Sequence, residues 1–130
     1  MNPAAQAEFL ALAEDWAQDL AGSLELLGVH PEQKDLVDRV FQSTHNYKNS
    51  AALGFAHLAG LAHRMEDVLH RVRDGILPVT EPVRDALIEG ADRLSEMVAV
   101  IGRGEPESSV DVAAAVAGLS VFAPPPPEGP

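Results

Sequence analysis

Apolar residues recur at every third or fourth position over most of the 130-residue chain, and this spacing constrains the fold more than any other feature. At about 100° per residue, it places the apolar side chains of each segment on one face of an α-helix. No segment alternates apolar and polar residues as a half-buried strand does. The pattern predicts an all-α protein with four apolar helix faces: Phe9, Leu12, Trp16, Leu20, Leu24 and Leu27; Leu36, Val40, Thr44, Tyr47 and Ala51; Leu58, Leu61, Met65, Leu69 and Val72; and Val83, Leu87, Ala91, Leu94, Val98 and Ile101.

Capping and turn residues separate these four segments. Residues that favour helix starts are Asn2 and Pro3 before the first, Pro31 before the second and Thr80 before the fourth. The helices are expected to end at Gly28, near Leu53-Gly54, at Arg73-Asp74-Gly75, and at Gly102 with Gly104. Because the connections are short, consecutive helices should be antiparallel neighbours.

A weaker, Ala-rich segment from Val110 to Leu119 follows the fourth helix, with Ser108 or Ser109 as its expected N-cap. The prediction is an up-and-down antiparallel four-helix bundle with an additional C-terminal fifth helix. Residues 1–120 form this domain, and residues 121–130 form a Pro-rich linker or tail, since proline favours an extended, solvated backbone.

Charge and composition exclude several classes of function. Twenty acidic residues against nine Lys and Arg give a formal charge of -11, which disfavours binding to nucleic acid or to anionic membrane surfaces. The chain has no Cys, so disulfides, thiolate zinc sites and cysteine nucleophiles are absent. No apolar run approaches the roughly 20 residues of a membrane span, and the N-terminal residues lack signal-peptide features. A cytoplasmic protein is expected.

Two pairs of polar residues at helical spacing carry the chemistry. His45 and Lys48 stand three apart and are neighbours on the surface of the second helix, with His45 outward or at the edge of the apolar face. In so acidic a chain, a cation beside a histidine indicates that an anion is expected there. His63 and Glu66 repeat this spacing on the third helix, and antiparallel packing lets Glu66 approach His45. A carboxylate that accepts the Nδ1 proton would fix the tautomer and leave Nε2 free as a nucleophile.

Two sequence blocks resemble a known family. The first is Phe41-x-x-x-His45-x-x-Lys48-x-Ser50-Ala51 with Leu53-Gly54-Phe55; the second is Leu61-Ala62-His63-Arg64-Met65-Glu66-Asp67-Val68-Leu69, closing with Arg73-Asp74-Gly75. Together they resemble the histidine phosphotransfer (HPt) domain of CheA-type chemotaxis histidine kinases. The resemblance implies that His45 is the phosphorylated residue, that Lys48 offsets phosphoryl charge, and that Glu66 hydrogen-bonds the imidazole, with His63 joining that polar network.

One departure from the family pattern lies beside this site. The family usually has Gly directly after the lysine, where a small residue lets a partner come close, and this chain has Asn49. The loop that follows is also about one residue shorter than usual. These changes affect the expected docking and transfer rates more than the identity of the acceptor.

The resemblance also implies partners and cofactors. The phosphoryl group would come from the kinase catalytic domain of the same chain or of its dimer partner, and it would pass to an aspartate of a response-regulator receiver domain. No ATP-binding motif occurs in the sequence, so no cofactor is expected in this domain, and ATP and Mg would be bound by the kinase domain. The domain alone would not be an enzyme, although its parent chain would be a histidine protein kinase.

Two alternatives to a phosphocarrier stay open at this point. One is an adaptor bundle that has lost phosphotransfer, for which Asn49 is the best hint. The other is a metal-binding helical bundle, since His63, Glu66 and His70 share one helix face and could ligate zinc or iron. The apolar faces of the other helices supply no further ligands, which disfavours the metal site.

Overall fold

The computed structural model describes residues 3–123, and these residues form five α-helices and two short 3-10 helices with no strand among them. The helices are α1 (Pro3–Val29), α2 (Lys34–Lys48), α3 (Ala56–Arg73), α4 (Glu81–Gly102) and α5 (Ala113–Phe122). The 3-10 helices, Asn49–Leu53 and Glu107–Ser109, lie in the connections before α3 and α5. None of the helices within residues 3–123 is long and apolar enough to cross a bilayer.

The first four helices form an antiparallel bundle, as the sequence predicts. α1 packs against α2 and α4, and α3 packs against the same two helices from the other side. The direction of α1 against α4 follows from two contacts at opposite ends of the pair. Gln6 Nε2 donates to the carbonyl of Ile101 (3.3 Å), and Arg84 Nε donates to the carbonyl of Leu24 (2.8 Å). The fifth helix, α5, packs on α3 and α4.

Local signals explain where α4 begins and where α3 ends. The hydroxyl of Thr80 accepts from the backbone N–H of Val83 (3.4 Å), which confirms the expected N-cap of α4. Gly75 has a φ of 75° directly after α3, and Ile76 N–H donates to the carbonyl of Arg71 (3.0 Å). This is the hydrogen-bond pattern by which a left-handed glycine closes a helix.

The core is built largely from the predicted apolar faces, although Leu12, Trp16, Val72 and Val98 are not fully buried. Its buried apolar members include Phe9, Leu20, Leu24 and Leu27, but Leu12 is 45% exposed and Trp16 is half-buried. Leu12 differs because it lies about 60° from Phe9 around the helix axis, at the margin of the face that α2 and α4 cover.

Several expected boundaries need correction. The second helix starts at Lys34 rather than directly after Pro31, and its α-helical part ends at Lys48, after which the chain continues to Leu53 as a 3-10 helix.

The fifth helix also differs from its expected bounds. Neither Ser108 nor Ser109 caps α5, because both lie in a 3-10 helix four or more residues earlier; the carboxylate of Asp111 instead accepts from Ala113 N–H (3.0 Å). α5 runs from Ala113 to Phe122 rather than from Val110 to Leu119, so the first two residues of the predicted tail lie in the helix. Asn2 and residues 124–130 of the predicted tail lie outside the described residues.

Charge is distributed unevenly around the bundle. α1 carries five acidic residues and no Lys or Arg, and α4 carries five acidic residues and two Arg. α2 and α3 each carry three Lys or Arg against two acidic residues. The side of the bundle formed by α2 and α3 is therefore the least acidic.

Candidate functional site

Three side-chain pairs follow one another along the line where α2 and α3 meet. They are Asp38 with Arg73, Phe41 with His70, and His45 with Glu66. In each pair the two residue numbers add to the same value, as expected for two antiparallel helices packed in constant register. We call this row of three pairs the α2–α3 seam. The predicted approach of Glu66 to His45 is thus a consequence of helix register.

The pair at one end of the seam joins an exposed imidazole to a buried carboxylate. His45 Nδ1 lies 3.3 Å from Glu66 Oε1, and the two side chains are 42% and 3% exposed. An ionised carboxylate only accepts hydrogen bonds, so with Glu66 ionised the proton of this contact lies on Nδ1. In the neutral imidazole the lone pair is then on Nε2, the ring nitrogen that does not face Glu66.

Lys48 completes the polar group around Glu66. Its Nζ lies 3.6 Å from Glu66 Oε2, and its side chain is 38% exposed. Oε2 accepts no hydrogen bond from the described residues, so the ammonium is an ion-pair partner at slightly longer range. A buried carboxylate is costly without a nearby cation, and Lys48 supplies that charge. It also leaves a positive charge one helical turn from His45.

The middle pair of the seam is aromatic. The ring of Phe41 lies nearly parallel to that of His45, with 10° between the planes and 6.2 Å between the centroids. His70 meets Phe41 edge-on at 4.9 Å, and the guanidinium carbon of Arg73 lies 4.5 Å from the Phe41 centroid. Asp38 holds Arg73 in turn, with Oδ1 3.3 Å from Nε. Sequence reasoning includes Phe41 only in the resemblance and misses this stacking, although positions 38, 41 and 45 share one helix face.

His63 lies apart from the residues above. Its side chain is 56% exposed, and its Nε2 is 3.8 Å from Asp67 Oδ1 on the same helix. The structure brings Glu66 and Lys48 to His45 but does not bring His63 there. Three residues of helix turn His63 about 60° away from Glu66, and that is enough to move it from the seam to solvent.

Two further expectations concern Asn49 and a metal. Asn49 is exposed, begins the 3-10 helix after α2, and keeps helical backbone angles (φ -65°, ψ -13°). Among residues 3–123, no group of three or more His, Asp or Glu side chains is arranged to hold a metal ion. The predicted alternative set fails because Glu66 turns into the bundle, whereas His63 and His70 are exposed.

Comparison with known proteins gives consistent matches over most of the chain. The family model described as the Hpt domain matches residues 7–100. The chemotaxis protein CheA of Listeria monocytogenes is 35% identical over 115 residues, which cover 88% of this chain and 18% of that protein. The sensor histidine kinase CheAY of Helicobacter pylori is 33% identical over 95 residues, covering 72% of this chain and 12% of that protein. The chain therefore spans less than a fifth of the length of these relatives.

Solved structures match as well. The CheA phosphotransferase domain from Thermotoga maritima superposes with a TM-score of 0.71 at 27% identity, covering 74% of this chain and 92% of that one. A solution structure of the histidine phosphotransfer domain of CheA gives a TM-score of 0.82 over 99% of this chain and 98% of that one. At 23% identity, this second likeness concerns the fold alone.

Proposed function

This chain belongs to the Hpt domain family, and we propose that its function is to carry a phosphoryl group on Nε2 of His45 in chemotaxis-type signalling. The observation that carries the proposal is the contact between His45 Nδ1 and the buried carboxylate of Glu66. An acceptor at Nδ1 favours the tautomer that has its proton on Nδ1 and its lone pair on Nε2, and an exposed histidine without such a partner is not held in that tautomer.

In the proposed first step, the Nε2 lone pair attacks the γ-phosphorus of an ATP held by a kinase domain. A bond forms between nitrogen and phosphorus, the bond from phosphorus to the β–γ bridging oxygen breaks, and ADP leaves with that electron pair. The Nδ1 proton stays in place, so positive charge builds up on the imidazole. Glu66 stabilises that charge, as the buried carboxylate of a catalytic triad does.

In the second step, a carboxylate oxygen of an aspartate on a receiver domain attacks the same phosphorus. The phosphorus–nitrogen bond breaks, and its electron pair returns to Nε2. Lys48 would lower the energy of both steps, because its ammonium lies beside His45 and offsets charge on the phosphoryl oxygens. The domain itself then contributes positioning and electrostatics.

The nucleotide and its metal belong to the partner in this proposal. The sequence contains no Gly-rich phosphate-binding loop, so ATP and Mg would be bound by the kinase catalytic domain of the same chain or of a dimer partner. Kinase and receiver domains would meet this domain in the cytoplasm. His63, implied in the network by resemblance, would act only if a bound partner turned it toward Glu66.

The test is radiolabelling from ATP by the kinase domain of a CheA relative. Wild-type protein should acquire acid-labile label, and His45→Gln should acquire none while keeping its helical circular dichroism, since His45 contributes little packing. His30→Gln is the control, because it removes another exposed histidine that lies in the connection between α1 and α2, away from the α2–α3 seam, and it should label normally. Full labelling of His45→Gln would overturn the assignment, and an unlabelled wild-type protein would favour the adaptor alternative.

A further inference from the structure

The contact with Glu66 fixes only one atom of the His45 ring. The hydrogen bond at Nδ1 is long (3.3 Å), so the ring can still turn about its Cα–Cβ and Cβ–Cγ bonds while Nδ1 stays within reach of Glu66 Oε1. Nε2 lies on the far side of the ring, so such turning changes the direction of its lone pair. A reacting nitrogen must point at the incoming phosphorus for efficient transfer, and a second constraint on the ring is therefore needed.

The face of Phe41 provides a second constraint. It lies one helical turn before His45 on α2, and its plane is within 10° of the imidazole plane. A centroid separation of 6.2 Å is within the range over which offset aromatic rings attract each other. Rotation of the imidazole out of this plane would lose the stacked contact and bring the ring edge toward Phe41.

Phe41 is itself in contact with two residues of α3. The rings of His70 and Phe41 meet at 69° with 4.9 Å between their centroids, and the guanidinium carbon of Arg73 lies 4.5 Å from the Phe41 centroid. Arg73 is fixed by its ion pair with Asp38 (3.3 Å). These three contacts come from the other two pairs of the α2–α3 seam. All three pairs of the seam therefore help to orient the His45 ring.

We propose that Phe41 is a positioning residue that sets the plane of the His45 imidazole, while Glu66 sets its tautomer. The inference rests on the proposed function of His45. Phe41 does not touch the reacting atoms, and it acts only through the ring that it stacks on. His70 and Arg73 contribute by keeping the Phe41 ring in one orientation.

The test compares Phe41→Leu with Phe41→Tyr. Leucine keeps most of the apolar bulk that packs against the core but has no flat face, whereas tyrosine keeps the ring. Phosphorylation of His45 is followed with two donors: a CheA-type kinase domain with ATP, and phosphoramidate, a small donor that needs no docking surface. We expect Phe41→Leu to slow both reactions about fivefold, or ~1 kcal/mol at the transition state, and Phe41→Tyr to stay within about twofold of wild type.

The two donors separate positioning from docking. A positioning residue lowers kcat with the kinase domain, leaves KM for that domain unchanged, and slows phosphoramidate equally. If Phe41 were a docking anchor, KM would rise and the phosphoramidate rate would not change, and this result would overturn the inference. Equal rates for Phe41→Leu and wild type with both donors would also overturn it.

A spectroscopic measurement makes the outcome independent of phosphotransfer. In wild-type protein, the ring current of Phe41 should shift the carbon-bound protons of His45 in the NMR spectrum, and Phe41→Leu should remove that shift and broaden or average the ring signals. If neither donor labels wild-type protein at His45, the proposed function fails, and the NMR comparison still decides whether Phe41 orients the ring.

A milder variant covers the case in which Phe41→Leu does not fold. Arg73→Gln removes the cation over Phe41 from a partly exposed position and leaves the aromatic ring in place. Arg73→Gln should slow the phosphorylation of His45 by both donors about twofold, which is less than the effect of Phe41→Leu. The KM for the kinase domain and the thermal unfolding midpoint should stay unchanged. A rise in KM alone would again indicate docking.

Discussion

Replacing Glu66 by methionine should slow phosphotransfer without destabilising the bundle. Methionine has nearly the same length as glutamate but no charge, so it fills the space between α2 and α3. The carboxylate is 3% exposed, makes one contact of 3.3 Å with His45 and one of 3.6 Å with Lys48, and has an oxygen that accepts no hydrogen bond from the described residues. Burial of a charge that is so incompletely paired works against folding.

The contacts of Glu66 allow two quantities to be worked out for Glu66→Met: the change in the free energy of unfolding and the change in the phosphotransfer rate. His45 and Lys48 are each more than a third exposed, so water can solvate them once the carboxylate is gone, and no charge is left stranded. The free energy of unfolding should therefore stay unchanged or rise by about 1 kcal/mol. A hydrogen bond to a charged group contributes about 1.5–3 kcal/mol, and a length of 3.3 Å favours the lower half of that range. Loss of 1.5–2 kcal/mol of transition-state stabilisation slows transfer roughly 10- to 30-fold.

Urea unfolding followed by circular dichroism measures the free energy of unfolding, and the time course of His45 labelling measures the phosphotransfer rate. Glu66→Gln is the matched control, because glutamine keeps an acceptor oxygen but not the charge. Its labelling rate should fall between those of wild type and Glu66→Met. A loss of more than about 2 kcal/mol of stability in Glu66→Met would show that the carboxylate is mainly structural. An unchanged labelling rate would remove Glu66 from the reaction.

Four further predictions follow from the described contacts. Asn49→Gly should leave transfer unchanged or faster and cost only about 0.3 kcal/mol of stability, because Asn is itself a poor helix former; a rate about tenfold lower with the fold intact would show that Asn49 itself assists transfer. Glu107→Ala should lower the free energy of unfolding by about 1–2 kcal/mol in urea titrations, because the carboxylate accepts from the first backbone N–H groups of α3 (3.0 and 2.7 Å). Gly90→Ala should cost about 1–2 kcal/mol, because its Cβ would lie 2.8 Å from Met65 Sδ, whereas Gly22→Ala, which meets open space, should stabilise α1 by about 0.5–1 kcal/mol. The purified protein should carry no stoichiometric zinc or iron and bind no ATP, and elemental analysis that finds about one metal per chain would contradict this.

The helices were predictable because their signals are local. Periodic apolar residues, the Thr80 cap and the glycine after Asp74 each act within a few positions of the chain, and the structure confirms them. The start of α5 was not predictable in the same way. Its Ala-rich sequence offers little periodic contrast, and Asp111, whose carboxylate accepts from Ala113 N–H, takes the place of the expected Ser108 or Ser109 cap. In the same connection, Glu107 instead caps α3 some fifty positions earlier in the chain. Nothing in a local window records such a contact.

The contacts of the candidate site also fall into those that the sequence could predict and those that it could not. The pairing of His45 with Glu66 could be predicted, because two helix-spaced pairs on antiparallel neighbours leave few other arrangements. The stacking of His45 on Phe41 was missed, because a ring plane depends on rotamers and on what braces them from α3. His63 was placed in the polar network only by the family resemblance, whereas helix geometry turns it about 60° away from Glu66, where its side chain meets solvent.

The uneven distribution of charge around the bundle gives the domain an electric polarity that acts before contact. With α1 and α4 strongly acidic and α2 and α3 slightly basic, a negatively charged partner meets least repulsion from the side that carries His45. At an ionic strength of about 0.1 M the field reaches roughly 10 Å, so a tumbling domain is turned toward the partner over the last few water layers. Encounters that begin on the acidic side formed by α1 and α4 would be disfavoured, and the fraction of encounters that begin near His45 would fall as added salt screens the field.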